Sequence, residues 1–156
     1  MTPGINLARK AGISHTIHEY SHEPGSESYG TEAADKLGLA HHQVFKTLVA
    51  KVDGRELVVA VVPVSAMLSL KQIARAAGGK KATMATPTEV ERSTGYVLGG
   101  VSPLGQKKRL RTFIDDSATT LERIHVSAGR RGLEIELAPG DLQQLTGAQL
   151  VPLQQA

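Results

Sequence analysis

Lys46 stands inside an apolar run, Val44-Phe45-Lys46-Thr47-Leu48-Val49-Ala50, where an ammonium has few purposes that are not chemical. With a strand's period of two, Val44, Lys46, Leu48 and Ala50 share one face, and Phe45, Thr47 and Val49 share the other. Both faces are mostly apolar, so the strand reads as central. An ammonium buried there without a partner costs several kcal/mol. It calls for an internal carboxylate, or for a pocket that receives an anionic or carbonyl-bearing ligand. A lysine that snorkels out at the strand end is the plain alternative.

Two glycine-rich segments could build such a pocket. From Gly95 to Gly105 there are four glycines in eleven positions, with Pro103 among them and Lys107, Lys108 and Arg109 just beyond. Glycine allows close backbone approach, so amide N–H groups there can face a ligand oxygen. The spacing is not that of a Walker loop, and a tight helix-to-strand connection is the other reading. The second segment, Ser127-Ala128-Gly129-Arg130-Arg131-Gly132, joins two apolar strands as a hairpin. Its arginines either hold phosphate or are solvated. Beyond it, Glu134 and Glu136 share one strand face, which is solvent-facing or supplies the carboxylate that Lys46 needs.

Other chemistries lack their residues. The histidines are His15, His18, His22, His41, His42 and His125. His18 and Tyr20 share a strand face that His22 continues, but a metal needs a third ligand and no cysteine is present, so no metal is expected. There is no Gly-x-Ser-x-Gly elbow, and with no cysteine there is no thiol nucleophile or disulfide. Covalent chemistry would fall to Lys46 or a serine.

The elements that must position these residues are punctuated clearly. Thr2-Pro3 opens a helix that Gly12 closes, and Thr31 is placed to cap a second that ends at Gly38. Ser69-x-x-Gln72 and Thr86-Pro87-Thr88-Glu89 are capping boxes, with Gly78 and Gly95 as stops, and Asp141 opens a short helix ending near Gly147. Strands are expected at 15–20, 44–52, 56–62, near Met84, and at 110–114, 124–127, 133–137 and 149–153. Asp53-Gly54 makes the second and third an antiparallel hairpin. The interleaved order with a central hairpin argues for an α+β fold.

At 156 residues the chain is expected to form a single domain over 1–156, with a core that must be aliphatic because aromatic content is only 3%. No stretch approaches a membrane span, the first residues lack a secretory pattern, and the absence of cysteine suits a reducing compartment, so a cytoplasmic protein is expected. Net charge is a mild +3, yet Lys107, Lys108, Arg109, Arg111, Arg130 and Arg131, six of the 18 Lys and Arg residues, lie within 25 positions. That cluster suggests an anionic partner, phosphate first, or a solvated basic face. Aromatics are too sparse for a base-stacking platform.

Several segments together resemble the YbaK/EbsC family of aminoacyl-tRNA editing proteins, and within it the bacterial cysteinyl-tRNA(Pro) deacylases. They are Val44-Phe45-Lys46-Thr47-Leu48, Arg92-Ser93-Thr94-Gly95-Tyr96, Gly99-Gly100-Val101-Ser102-Pro103-Leu104-Gly105-Gln106-Lys107-Lys108-Arg109-Leu110, and the stretch from Ser127 to Leu137. The resemblance implies one α+β domain with a curved, barrel-like mixed sheet flanked by helices. It implies clearance of cysteine mischarged onto tRNA(Pro), in trans to prolyl-tRNA synthetase, without a cofactor. Lys46 matches the family's essential lysine, and Tyr20, Gly99 and Ser127 match positions lining the aminoacyl pocket. Tyr29, Thr47, Gly100, Gly129 and Glu134 complete the expected substrate-binding set. Relatives commonly carry Asp where this chain has Glu134. Lys107, Lys108, Arg130 and Arg131 are the expected tRNA phosphate contacts. The substrate's own thiol is thought to attack its ester, with amides near Gly99 and Gly100 stabilising the oxyanion. An alanyl-tRNA(Pro) deacylase and a non-catalytic tRNA- or nucleotide-binding module are the competing readings.

Overall fold

Two strand pairings, rather than any one helix, decide where the putting-together of this chain leaves a gap. The structure, a computed structural model, describes residues 1–23 and 29–156, apart from the side chain of Tyr29. The order is α1 (Pro3–Ala11), β1 (His15–Glu19), α2 (Tyr29–Leu37), β2 (Phe45–Val52), β3 (Glu56–Pro63), α3 (Leu70–Ala76), β4 (Ala82–Met84), α4 (Pro87–Thr94), β5 (Arg111–Asp115), β6 (Ile124–Arg130), β7 (Leu133–Leu137), α5 (Pro139–Thr146) and β8 (Gln149–Val151).

The punctuation works as expected at most ends. Thr2 Oγ1 accepts from the Ile5 N–H at 3.2 Å with Pro3 in the first turn, and Ser69 Oγ accepts from the Gln72 N–H at 3.1 Å. Thr86 and Glu89 satisfy each other's backbone in a complete capping box. Asp53 and Gly54 both take positive φ, 52° and 68°, in the three-residue loop Asp53–Arg55 that joins β2 to β3 as an antiparallel hairpin. Two starts differ. Helix α2 begins at Tyr29, so Thr31 lies in its first turn and not at its cap. Helix α5 begins at Pro139, whose missing N–H suits a first turn, and Asp141 sits inside that turn, where its charge suits the helix dipole.

The α+β fold is as expected, and its strands form two sheets. One is antiparallel, in the order β1-β7-β6, and the other is mixed, in the order β4-β2-β3-β5-β8 with β3-β5 and β5-β8 parallel. Strand β2 is flanked along its length by β3 and at Ala50–Val52 by β4. Its other edge over Phe45–Leu48 carries no ladder, and a single parallel bridge from Val44 to His125 of β6 ties the two sheets there. The core lies on both sides of β3. Val59 and Val61 pack with Ile5, Phe45, Ile114, Val126, Ile135 and Leu142, while Val58, Ala60 and Val62 pack with Ile73, Ala74, Phe113 and Leu153. Among the described residues no helix is long and apolar enough to cross a membrane.

Candidate functional site

A cavity of about 230 Å3 opens where β2 and β6 part company. Phe45, Lys46, Thr47 and Leu48 line it from β2, Ser127 from β6, Glu134 from β7, Tyr20 from the end of β1, and Gly30 from α2. Leu98, Gly99 and Val101 close it from the glycine-rich segment. Residues of both β2 faces reach it because the cavity lies against that strand's unpaired edge. The register explains the rest: Ser127 and His18 both stand opposite Glu134, so one row of the three-stranded sheet aims at the gap.

The pocket, not a carboxylate, receives Lys46. Desolvation pulls the ammonium below the ordinary lysine value, and among the described residues no acidic group lies within ion-pair distance of it. Glu134 shares the cavity without pairing, and burial pushes its carboxyl up to about 8. It is therefore protonated at neutral pH and offers a hydrogen-bond donor. Glu136, its neighbour along the face, is bound elsewhere, by His18 Nε2 at 2.7 Å, Arg123 Nε at 3.3 Å and His125 Nε2 at 3.4 Å. His18, His125 and Glu136 thus bring three potential ligand atoms within 4.8 Å of one another, a cluster that sequence alternation did not reveal, and none of the three lines the cavity. Burial raises the Tyr20 phenol above its ordinary value, so it stays a neutral donor.

Polar groups in the cavity are left over for a ligand. Among the described residues the buried Thr47 hydroxyl has no hydrogen-bond partner, which is costly for a buried polar group. Ser127 Oγ accepts from the Gly129 N–H at 3.1 Å, which leaves its own proton to donate. Gly99 occupies the third position of a turn closed by the Gly100 N–H on the Val97 carbonyl at 2.9 Å, and its φ of 90° belongs to glycine. The Gly99 N–H has no partner among the described residues, whereas the Gly100 N–H is consumed by the turn.

Of the residues expected from sequence, Lys46, Tyr20, Thr47, Gly99, Ser127 and Glu134 come together. Gly100 and Gly129 do not line the cavity. A Cβ on Gly100 would fall 2.7 Å from Arg130 Cα, and one on Gly129 would fall 2.7 Å from Tyr96 Cε1, so both glycines serve close packing. The Tyr29 side chain lies outside the described residues. The basic residues scatter. Lys108 lines a groove with Leu7 and Pro103, and Arg130 lines another with Met1 and Ile5. Lys107 lines neither, and only Arg131 reaches the cavity rim, 3.5 Å from the Leu98 carbonyl. Gly30, Leu98 and Val101 went unforeseen, since a small or aliphatic residue carries no chemical signal of its own.

Comparison with known proteins adds the family. A family model described as an aminoacyl-tRNA editing domain matches residues 22–145. A protein of Enterococcus faecalis named, provisionally, as the Cys-tRNA(Pro)/Cys-tRNA(Cys) deacylase EbsC is 42% identical over 120 residues, covering 77% of this chain and 73% of its own length. The multifunctional Ser/Thr-tRNA deacylase ProXp-y of Escherichia coli K12 is 30% identical over 77% of this chain and 75% of its own. A crystal structure provisionally titled as a trans-editing enzyme for prolyl tRNA synthetase superposes with a TM-score of 0.84 at 25% identity, covering 100% of this chain and 99% of that one.

Proposed function

We propose, because this chain belongs to the aminoacyl-tRNA editing domain family, that it is an aminoacyl-tRNA deacylase acting in trans, and that cysteine mischarged onto tRNA(Pro) is its substrate. The observation that carries the reading is the pairing, in one small cavity, of a desolvated Lys46 with a Gly99 whose N–H no described residue uses. An ester carbonyl is the group that both would serve. The ammonium binds the carbonyl or the terminal phosphate, and the amide stabilises the charge that develops on the carbonyl oxygen. Thr47, Ser127 and Tyr20 offer hydroxyls to the rest of the aminoacyl group.

The nucleophile comes from the substrate in this reading. The cysteine thiol attacks its own carbonyl carbon, a C–S bond forms, and the ester C–O bond breaks. The terminal ribose oxygen leaves with the thiol's proton, giving free tRNA and a cyclic thiolactone. The neutral Glu134 carboxyl supports this, since a protonated acid in the cavity donates and does not act as a base at neutral pH. Selection is then chemical: alanyl and seryl esters, having no thiol, survive. The matching tRNA and the partnership with prolyl-tRNA synthetase belong to the same proposal.

The test is single-turnover cleavage of cysteinyl-, alanyl- and seryl-tRNA(Pro) by wild type and Lys46→Ala. Wild type is expected to clear the cysteinyl ester alone, and Lys46→Ala to lose about 10²-fold or more. Comparable cleavage of all three esters would replace self-attack by ordinary hydrolysis. Full activity in Lys46→Ala would remove the site.

A further inference from the structure

Glu32 is a charged residue that the cavity does not use, yet it is only 8% exposed. It sits on α2, where Oε1 accepts from His22 Nδ1 at 2.6 Å and Oε2 accepts from the Glu23 N–H at 3.0 Å, with Lys36 Nζ 3.9 Å away. A carboxylate held in this way fixes the tautomer of its histidine: Nδ1 carries the proton, and Nε2 is left as an acceptor. Arg131 Nη1 donates into that Nε2 at 3.2 Å. The other terminal nitrogen of the same guanidinium, Nη2, lies 3.5 Å from the carbonyl oxygen of Leu98.

That carbonyl is one end of the peptide unit whose other end is the Gly99 N–H. In a trans peptide the two point in opposite directions. A cation on the Leu98 oxygen therefore turns the Gly99 N–H away from Arg131, and both residues of this peptide line the cavity. The unit needs such a hold. It is the central peptide of a turn whose third residue is glycine, and this is the peptide that rotates when one turn type changes into another. A fixed donor stabilises an oxyanion without reorganising at the moment of reaction, whereas a rotating one does not.

We propose that Arg131 is a positioning residue, held by the Glu32–His22 pair, that orients the Leu98–Gly99 peptide so that its N–H serves as the oxyanion donor. This rests on the deacylase reading and assigns Arg131 a task other than the phosphate contact expected from sequence. The two tasks separate in kinetics. A lost phosphate contact weakens tRNA binding and lowers its salt dependence by about one unit of slope, with turnover intact. A lost peptide anchor lowers turnover with binding intact.

The experiment compares wild type, Arg131→Met, Arg131→Lys and Glu32→Gln on cysteinyl-tRNA(Pro), with amide NMR of the free proteins beside it. Arg131 is exposed at a hairpin tip, so its variants keep the fold. Arg131→Met is expected to lower kcat about 10- to 100-fold at unchanged KM and salt slope. Arg131→Lys recovers only part of this, because an ammonium cannot reach histidine and carbonyl together. Glu32→Gln shifts kcat in the same direction. In the spectra, the Gly99 amide of Arg131→Met moves and broadens while the β2–β3 amides stay in place. A raised KM with unchanged kcat overturns the proposal in favour of phosphate binding, and an unmoved Gly99 amide overturns it outright. If wild type cleaves no charged tRNA, the deacylase reading fails, and the Gly99 resonance still decides the anchor.

Discussion

Lys46 and Glu134 share a cavity, the lysine half-buried and the glutamic acid buried, and each answers the loss of water differently. Among the described residues the lysine has no neutralising neighbour, and the proposed substrate would bring one. The glutamic acid resolves its burial by keeping its proton, and this has a thermodynamic signature. Its folded pKa, about 8, lies above an ordinary carboxyl's 4.5, so the unfolded chain releases a proton that the folded chain retains. Stability that Glu134 leaves intact below pH 4.5 is lost progressively as pH rises from 4.5 to 8 and is level above that. A shift of that size corresponds to on the order of 4–5 kcal/mol across the whole window. Glu134→Gln, which keeps the shape and a donor but cannot ionise, is expected to flatten that part of the profile. Urea unfolding at pH 5 and pH 8 measures it: wild type should lose clearly more stability between the two than the variant does. Equal losses would mean that Glu134 ionises freely in the native protein.

At the scale of elements, α2 meets the strand pair β2–β3 through Gly30. A Cβ there would fall 2.3 Å from Val64 Cγ1 and 3.9 Å from Lys46 Cβ, so the helix approaches the sheet this closely only without a side chain. Gly30→Ala sets two effects against each other. Helix propensity gains up to about 1 kcal/mol, less near a helix end, while overpacking against a stiff β-branched neighbour costs about 1–3 kcal/mol. Overpacking wins, and α2 shifts off the cavity. The expected result is a lower Tm together with reduced cleavage of the cysteinyl ester. Because one clash is responsible, Val64→Ala should partly rescue it, with a favourable coupling above about 0.5 kcal/mol in a double-mutant cycle. Strict additivity would show that Gly30 matters for something other than this contact. No part of this was legible in the chain. Lys46 was, because strand parity within Val44–Ala50 made an ammonium anomalous, and the β2–β3 hairpin was, because Asp53-Gly54 is local chemistry. The contact of Gly30 with Val64, the unpaired edge of β2, and the capture of the Gly100 N–H by Val97 all depend on how distant or turn-forming segments settle against one another. Alternation alone could not tell a continuous sheet from two sheets tied by the Val44–His125 bridge.

Over the whole molecule, the basic residues that cluster in sequence between Lys107 and Arg131 do not gather around the cavity, and this bears on how a polyanion is held. Lys108 and Arg130 line separate grooves away from the cavity, while Arg131 stands at its rim and Lys46 within it. A continuous track using all six cations would release counterions with a log–log salt slope near −4 on single-stranded ends, at about −0.7 per phosphate. A single contact, from Lys46 within the cavity, gives about −0.7. The shallow slope is the expectation, with weak binding of tRNA by this chain alone. Selectivity for tRNA(Pro) would then be supplied by prolyl-tRNA synthetase, which presents the mischarged end while the cavity tests only its aminoacyl group. Measured between low and physiological salt, KM for cysteinyl-tRNA(Pro) should change little, and adding the synthetase should lower KM without altering the rate at saturation. A steep slope near −4, or a KM indifferent to the synthetase, would mean that this chain grips the tRNA body itself, and those cations would have to be reassigned as a binding surface.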